Sequence, residues 1–108
     1  MRANVEIDQA QLRLVLEDLQ LPVLVEVMDP FCIICKTMKE RLSEVMRGYA
    51  GRVIFLRLDI NNDLVKEHFK VDAVPTLLYL KKGQVVERQI DFPDKEKIQE
   101  VLDRILAA

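Results

Sequence analysis

Two short and almost unbroken apolar runs constrain the fold more than any other feature of this sequence. Residues 23–28 read VLVEVM and residues 53–58 read VIFLRL. Continuous apolar runs of this length are typical of strands buried on both faces, as in parallel sheets covered by helices. Glu26 is the one ionisable residue of the first run, so its buried carboxyl group needs a specific role.

Helical hydrophobic periods alternate with these runs, at residues 8–19, 36–47, 63–69 and 95–106. Asp8 and Asp94 are suitable N-caps for the first and last of these helices. Residues 76–80 and 85–90 predict a hairpin, and residues 4–7 predict an optional first strand. This order predicts an α/β fold with a central mixed sheet of four to five strands, helices on both faces and a single domain over residues 1–108.

The only two cysteines, Cys32 and Cys35, lie between the first buried run and the helix that follows it. From the residues alone, the pair can be a redox dithiol, half of a metal site or two inert core residues. A closed zinc site needs four ligands, so this chain would have to share the metal with a second chain. Covalent haem attachment would require a histidine directly after Cys35, where Lys36 stands. His68 is the only histidine, and we expect it to have a structural or surface role.

Charge and composition exclude several classes of partner. Sixteen basic and eighteen acidic side chains give a net charge of -2, and both signs are spread along the chain. This distribution predicts neither a nucleic-acid surface nor a membrane surface. The N-terminal region has neither a spanning apolar run nor the shorter run of a signal peptide, so we expect a cytoplasmic protein. Two cysteines cannot form the disulfide framework of a small secreted domain, which favours a reducing compartment.

Three sequence features together resemble the thioredoxin-fold family, and the resemblance covers nearly the whole chain. They are Cys32-Ile33-Ile34-Cys35 between a strand and a helix, Val74-Pro75-Thr76 before the hairpin, and Glu26 in the strand that leads to the dithiol. The resemblance implies a thioredoxin fold. It also implies that Pro75 is cis and lies against the dithiol, where the backbone of Val74 would pair with an extended substrate chain.

The resemblance further implies thiol–disulfide exchange with no metal and no cofactor other than the dithiol. A thiolate attacks a disulfide, and a helix N-terminus stabilises a thiolate, so Cys32 is the expected nucleophile. Cys35, one helical turn later, is the expected resolving thiol. Glu26 occupies the position of a buried carboxyl group that can take and return a proton.

We therefore expect a monomeric oxidoreductase that reduces disulfide-containing proteins through a mixed disulfide on Cys32. A reductase or another electron donor would restore the dithiol. The alternative is a binding module of the same fold whose dithiol chemistry is slow, regulatory or based on a shared metal. The two hypotheses differ in whether Cys35→Ser traps covalent partners.

Departures from the family pattern affect the expected substrate surface. Phe31 stands where thioredoxins usually have tryptophan, and Ile33 and Ile34 replace a Gly-Pro pair, which predicts an apolar docking surface. Asp91 stands where glycine is common, so it adds volume and negative charge to this surface. Phe55 falls where many thioredoxins carry a lysine that faces the buried carboxyl group. Glu26 is therefore expected to be protonated more readily than its counterpart.

Overall fold

The computed structural model describes residues 5–6, 21–63 and 65–108, and it has the predicted mixed sheet. Strands β1 to β5 span Val5–Glu6, Val23–Met28, Ile54–Asp59, Thr76–Lys81 and Gln84–Gln89. Their order across the sheet is β1-β3-β2-β4-β5. Strand β2 is central, because it pairs in parallel with β3 and antiparallel with β4. Strand β1 lies within the optional strand predicted at residues 4–7, and the helix predicted at residues 8–19 lies outside the described residues.

Helix α1 spans Ile33–Met46 and helix α2 spans Lys95–Ala107. Helix α1 continues into a 3-10 turn, Arg47–Tyr49, and the short helix predicted near residue 65 contains a π-helical turn, Val65–Phe69. Asp94 caps α2 as predicted, since its side chain accepts a hydrogen bond from the Lys97 amide at 2.9 Å. Within the described ranges, no helix is long and apolar enough to cross a membrane.

The sheet separates two apolar layers, which confirms that β2 is buried on both faces. Helices α1 and α2 pack on one face, where Leu24, Met38, Leu42, Phe55, Leu77, Tyr79 and Leu102 are among the buried residues. The π-helical turn packs on the other face, where the buried residues include Val23, Val25, Val27, Leu58, Val65, Phe69 and Leu78. Successive residues of β2 alternate between these layers, as the pleat of a strand requires.

One end of the sheet collects the segments that the sequence predicts to be functional. Strand β2 ends at Met28, immediately before the dithiol segment, and Val27 pairs with Thr76 at the start of β4. At the same end, β5 stops at Gln89, which pairs with Leu77. We call this the dithiol end of the sheet. The Val74–Pro75 bond immediately precedes β4 here, and it is cis as the family resemblance implied.

Candidate active site

A tight turn connects β2 to helix α1 and sets the position of the first cysteine. The carboxylate of Asp29 accepts a hydrogen bond from the Phe31 amide at 2.9 Å, and the Asp29 carbonyl accepts one from the Cys32 amide at 3.0 Å. An aspartate side chain bonded to the amide two residues later is a common way to stabilise a turn. Cys32 then has an extended conformation and is the N-cap of α1. The turn therefore places the Cys32 sulfur at the helix N-terminus.

Cys32 and Cys35 are joined by a disulfide, with their Cα atoms 5.2 Å apart. The Cys35 amide donates a hydrogen bond to the Cys32 sulfur at 3.0 Å. Their environments differ, because Cys35 is 1% exposed whereas Cys32 is partly exposed. An amide donor and the helix dipole both stabilise negative charge on sulfur, so this position favours a thiolate at Cys32 once the disulfide is reduced.

Glu26 lies in β2, two residues before the end of the strand, and its side chain is fully buried. One carboxylate oxygen, Oε1, accepts a hydrogen bond from Arg57 Nε at 2.8 Å, while Oε2 has no hydrogen-bond partner among the described residues. Burial raises the pKa of Glu26 above its usual value, and the charges of Arg57 and Lys39 oppose this effect. The carboxyl group is thus a buried titratable group with one oxygen available.

The cation that contacts Glu26 is Arg57, and position 55, where many thioredoxins carry a lysine, holds a phenylalanine. The parallel register pairs Glu26 with Arg57, whereas Phe55 pairs with Leu24 and packs in the apolar layer under α1. Arg57 is the only charged residue in the second apolar run, residues 53–58. A lone buried charge in each of two neighbouring strands is the sequence signal that could have identified the pair.

A cavity of about 600 Å³ lies beside the dithiol. Cys32 contributes to its wall, together with Lys36, Lys39 and Arg57. Arg57 therefore contacts the Glu26 carboxylate and also borders the cavity next to the partly exposed sulfur. This arrangement brings the buried carboxyl group of Glu26 and the cysteine pair to the same side of the sheet.

Three large apolar side chains next to the dithiol are exposed. Phe31, Ile33 and Ile34 are 94%, 80% and 53% exposed, and we call these three side chains the apolar patch. Large apolar side chains with such exposure next to a functional group are typical of a docking surface.

The remaining predicted site residues also lie at the dithiol end of the sheet. Val74 and Pro75 are half-buried, and Asp91 is exposed just beyond the end of β5. Asp91 has a φ of 63°, a left-handed conformation that glycine adopts readily and aspartate tolerates. His68 is exposed, in agreement with a surface role. Across the described ranges, no three histidine, cysteine, aspartate or glutamate side chains are grouped so that they could hold a metal ion.

Together, a mixed sheet and a bridged cysteine pair at a helix N-terminus are the arrangement expected of a thiol–disulfide oxidoreductase. The sequence profile of the family described as thioredoxin matches residues 4–104. The chain belongs to the thioredoxin family. Members of this family need no cofactor beyond the redox-active disulfide.

Comparison with curated and solved proteins agrees with this assignment. The chain is 32% identical over 87 residues to "Thioredoxin, mitochondrial" of Bos taurus, a match that covers 79% of this chain and 52% of the bovine protein. It is 34% identical over 84 residues to a thioredoxin of Staphylococcus aureus (strain N315), covering 77% of this chain and 81% of the bacterial protein. Thus the chain spans about half the length of the bovine relative. The crystal structure of thioredoxin NaTrxh from Nicotiana alata superposes with a TM-score of 0.83 at 23% identity, covering 94% of this chain and 91% of the other, and this likeness concerns the fold.

Proposed function

We propose that the protein reduces disulfides in other proteins, with Cys32 as the nucleophile and Cys35 as the resolving thiol. The observation that carries this proposal is the unequal exposure of the two sulfur-bearing residues. Cys32 is partly exposed and accepts an amide hydrogen bond, whereas Cys35 is buried. A substrate can therefore reach Cys32 directly, while Cys35 can reach only the sulfur of Cys32.

The proposed exchange proceeds in two steps. The Cys32 thiolate attacks one sulfur of a substrate disulfide, forming a Cys32–substrate disulfide and releasing the other substrate sulfur as a thiolate. Cys35, deprotonated, then attacks the Cys32 sulfur, which forms the Cys32–Cys35 disulfide and releases the second substrate thiolate. Two electrons pass from the protein to the substrate, so a reductase or another donor must restore the dithiol for the next cycle.

Glu26 is the group we assign to proton transfer in the second step. Cys35 becomes a nucleophile only when it loses its proton, and a buried carboxylate with a raised pKa is a suitable acceptor. The Oε2 atom supports this role, because no described residue donates a hydrogen bond to it, whereas Oε1 accepts one from Arg57. The proton returns when the dithiol is reduced again.

The apolar patch and the segments around it form the proposed substrate surface. Phe31, Ile33 and Ile34 would contact apolar side chains next to the substrate disulfide. The backbone of Val74, held beside the cis Pro75, would pair with an extended substrate segment. Asp91 would add a negative charge at the border of this surface, which favours substrates with a basic residue near the disulfide.

The proposal also covers the domain organisation, oligomeric state, location and partners of the protein. We propose that a single domain covers residues 1–108 and acts as a monomer in the cytoplasm, with protein partners rather than nucleic acid or membrane. The spread of both charge signs along the chain supports the last point, protein partners rather than nucleic acid or membrane. The relatives include a mitochondrial protein and a bacterial protein, so localisation of the tagged full chain in its own cells is the appropriate test.

Trapping of a mixed disulfide tests the mechanism. Cys35→Ser removes the resolving thiol, so the variant is expected to accumulate covalent complexes with substrate proteins that dithiothreitol releases. Cys32→Ser is the matched control and should form none, because it lacks the exposed nucleophile. If Cys35→Ser released substrate as the wild type does, Cys35 would not be the resolving thiol. A variant that traps nothing would favour the binding-module alternative.

A further inference from the structure

An arginine of helix α1 holds the segment that follows β5. Arg41 is half-buried, and one of its guanidinium nitrogens donates a hydrogen bond to the Pro93 carbonyl at 2.7 Å. The guanidinium carbon also lies 4.1 Å from the centre of the Phe92 ring. A cation over an aromatic face and a charge-assisted hydrogen bond are both stabilising. Arg41 thus makes two separate contacts with two consecutive residues.

The segment held in this way has an unfavourable backbone. Asp91 and Phe92 have φ values of 63° and 54°, and within the described ranges they are the only two consecutive non-glycine residues with positive φ. An aromatic residue is rare in this conformation, because its Cβ approaches the backbone closely. Such a backbone persists only when its surroundings hold it. Phe92 packs against the apolar layer under α1, and Arg41 supplies the polar contacts.

The register of the sheet connects this segment to the active site. Val27 pairs with Thr76, and Leu77 pairs with Gln89. Extending these rows past the last pairs, Met28 falls opposite Pro75 after one step and Pro75 falls opposite Asp91 after two steps. The Asp91 segment therefore follows β5 at the dithiol end of the sheet, the end that also carries the dithiol turn.

We propose that Arg41 is a positioning residue for protein substrates, acting through Phe92 and Pro93 to fix Asp91 at the border of the docking surface. This inference rests on the proposed function of the dithiol. Arg41 touches neither cysteine in the contacts described, and it lies six residues beyond Cys35 in the same helix, so its effect concerns substrate binding rather than exchange chemistry. Loss of Arg41 should not change the reaction with a small disulfide, which needs only the Cys32 sulfur. It should weaken the binding of a folded protein substrate.

The test compares two probes. Insulin serves as the protein disulfide, with dithiothreitol as the reductant. The small probe is 4,4′-dithiodipyridine, mixed by stopped flow with reduced protein from which dithiothreitol has been removed. For Arg41→Met, the KM for insulin is expected to rise about fivefold, since a cation–π contact and a hydrogen bond are lost, while kcat changes little. The rate constant with the small disulfide should stay at the wild-type value. Arg41→Lys keeps the charge but loses the planar guanidinium that stacks on Phe92, so it should restore the insulin KM only in part.

Two further measurements separate positioning from general damage. Arg47→Met removes an exposed arginine just after the same helix and should leave both probes unaffected. Amide hydrogen exchange at residues 91 and 92 should accelerate in Arg41→Met, because the segment is less firmly held. If Arg41→Met does not fold, Arg41→Gln replaces it with the same expectations.

The outcomes distinguish this inference from the proposed function. Three results would overturn the role of Arg41. They are an unchanged KM for insulin, an equal loss of activity with both probes, and unchanged amide hydrogen exchange at residues 91 and 92. If the wild-type protein reduced neither probe, the proposed function itself would fail, whatever the variants did.

Discussion

Glu26 and Arg57 form a buried ion pair across the parallel strands β2 and β3, with Arg57 Nε 2.8 Å from Glu26 Oε1. Their side chains are 0% and 8% exposed, so neither charge is hydrated as it would be at the surface. Taking two charges from water is costly, and the remaining charge becomes unfavourable when either partner is removed. The pair therefore couples the stability of the central sheet to the group we assign to proton transfer.

Arg57→Met is expected to destabilise the protein strongly at neutral pH. The variant leaves Glu26 buried without its closest cation, and breaking such a pair typically costs about 3–5 kcal/mol. Urea unfolding at pH 7 measures the loss, with Arg47→Met as a surface control. The double variant Glu26→Gln, Arg57→Met should lose less free energy of unfolding than the two single variants lose together, since it contains no unpaired buried charge. A loss of less than about 1 kcal/mol for Arg57→Met would contradict this account.

The raised pKa of the Glu26 carboxyl group should make the folded protein less stable as the pH rises through that pKa. The pKa of Glu26 is above 4.5 in the folded protein because of burial. The folded state therefore binds the proton more tightly than the unfolded state does. The stabilisation of the folded state that results from this difference is fully present below about pH 4.5. It is lost as the pH rises through the folded pKa. Compared with Glu26→Gln, the wild type should thus become progressively less stable across this window, as measured by urea unfolding from acidic to neutral pH. A constant difference, or one of opposite sign, would contradict the assignment.

Phe31→Ser tests the apolar patch. The side chain is 94% exposed, so the free energy of unfolding should change by less than about 0.5 kcal/mol. The ratio of kcat/KM for insulin to the second-order rate constant of the reduced protein with 4,4′-dithiodipyridine should fall about tenfold, because a buried aromatic contact with the protein substrate is lost. Val86→Ser is the control, since Val86 is also an exposed apolar side chain but lies in β5. Equal effects of the two substitutions on that ratio would rule out a specific role for the patch.

Tyr49 connects the end of α1 to α2, because its hydroxyl donates a hydrogen bond to the Asp103 carboxylate. Burial and this hydrogen bond raise the pKa of Tyr49 to about 12. The corresponding stabilisation is present below about pH 10 and is lost as the pH rises through 12. Tyr49→Phe should cost about 1 kcal/mol at neutral pH, by urea unfolding. Spectroscopic titration of the wild type should show no tyrosinate near pH 10, and a normal midpoint there would contradict the buried contact.

Local sequence patterns predicted the elements that carry the dithiol. Strand β2, helix α1 and the hairpin arise from apolar periods within each segment, and they place Cys32 at a helix start without knowledge of the rest of the chain. The partner of Glu26 was not found in this way. It depends on the register between two strands that are distant in sequence, and a shift of two residues exchanges Arg57 for Phe55 on the same face of β3.

The contact between Arg41 and the segment after β5 could not be predicted for the same reason, because it joins residues that are distant in sequence. Arg41 and Pro93 are 52 residues apart, and nothing in the local pattern of either segment predicts that they meet. The left-handed conformation has a sequence signal only at Asp91, which stands where glycine is common, and nothing in the sequence predicts it for Phe92. Helical periodicity places a residue on one face of a helix, but the partner depends on how the layers pack.

The reversible Cys32–Cys35 disulfide is the central claim, and redox titration tests it most directly. The purified protein would be equilibrated in graded dithiothreitol buffers, alkylated and weighed by mass spectrometry. The account predicts two populations, one with both thiols alkylated and one with neither, which interconvert reversibly in the monomer. A stable population with one alkylated thiol, a disulfide between two chains, or no disulfide under oxidising buffers would contradict it.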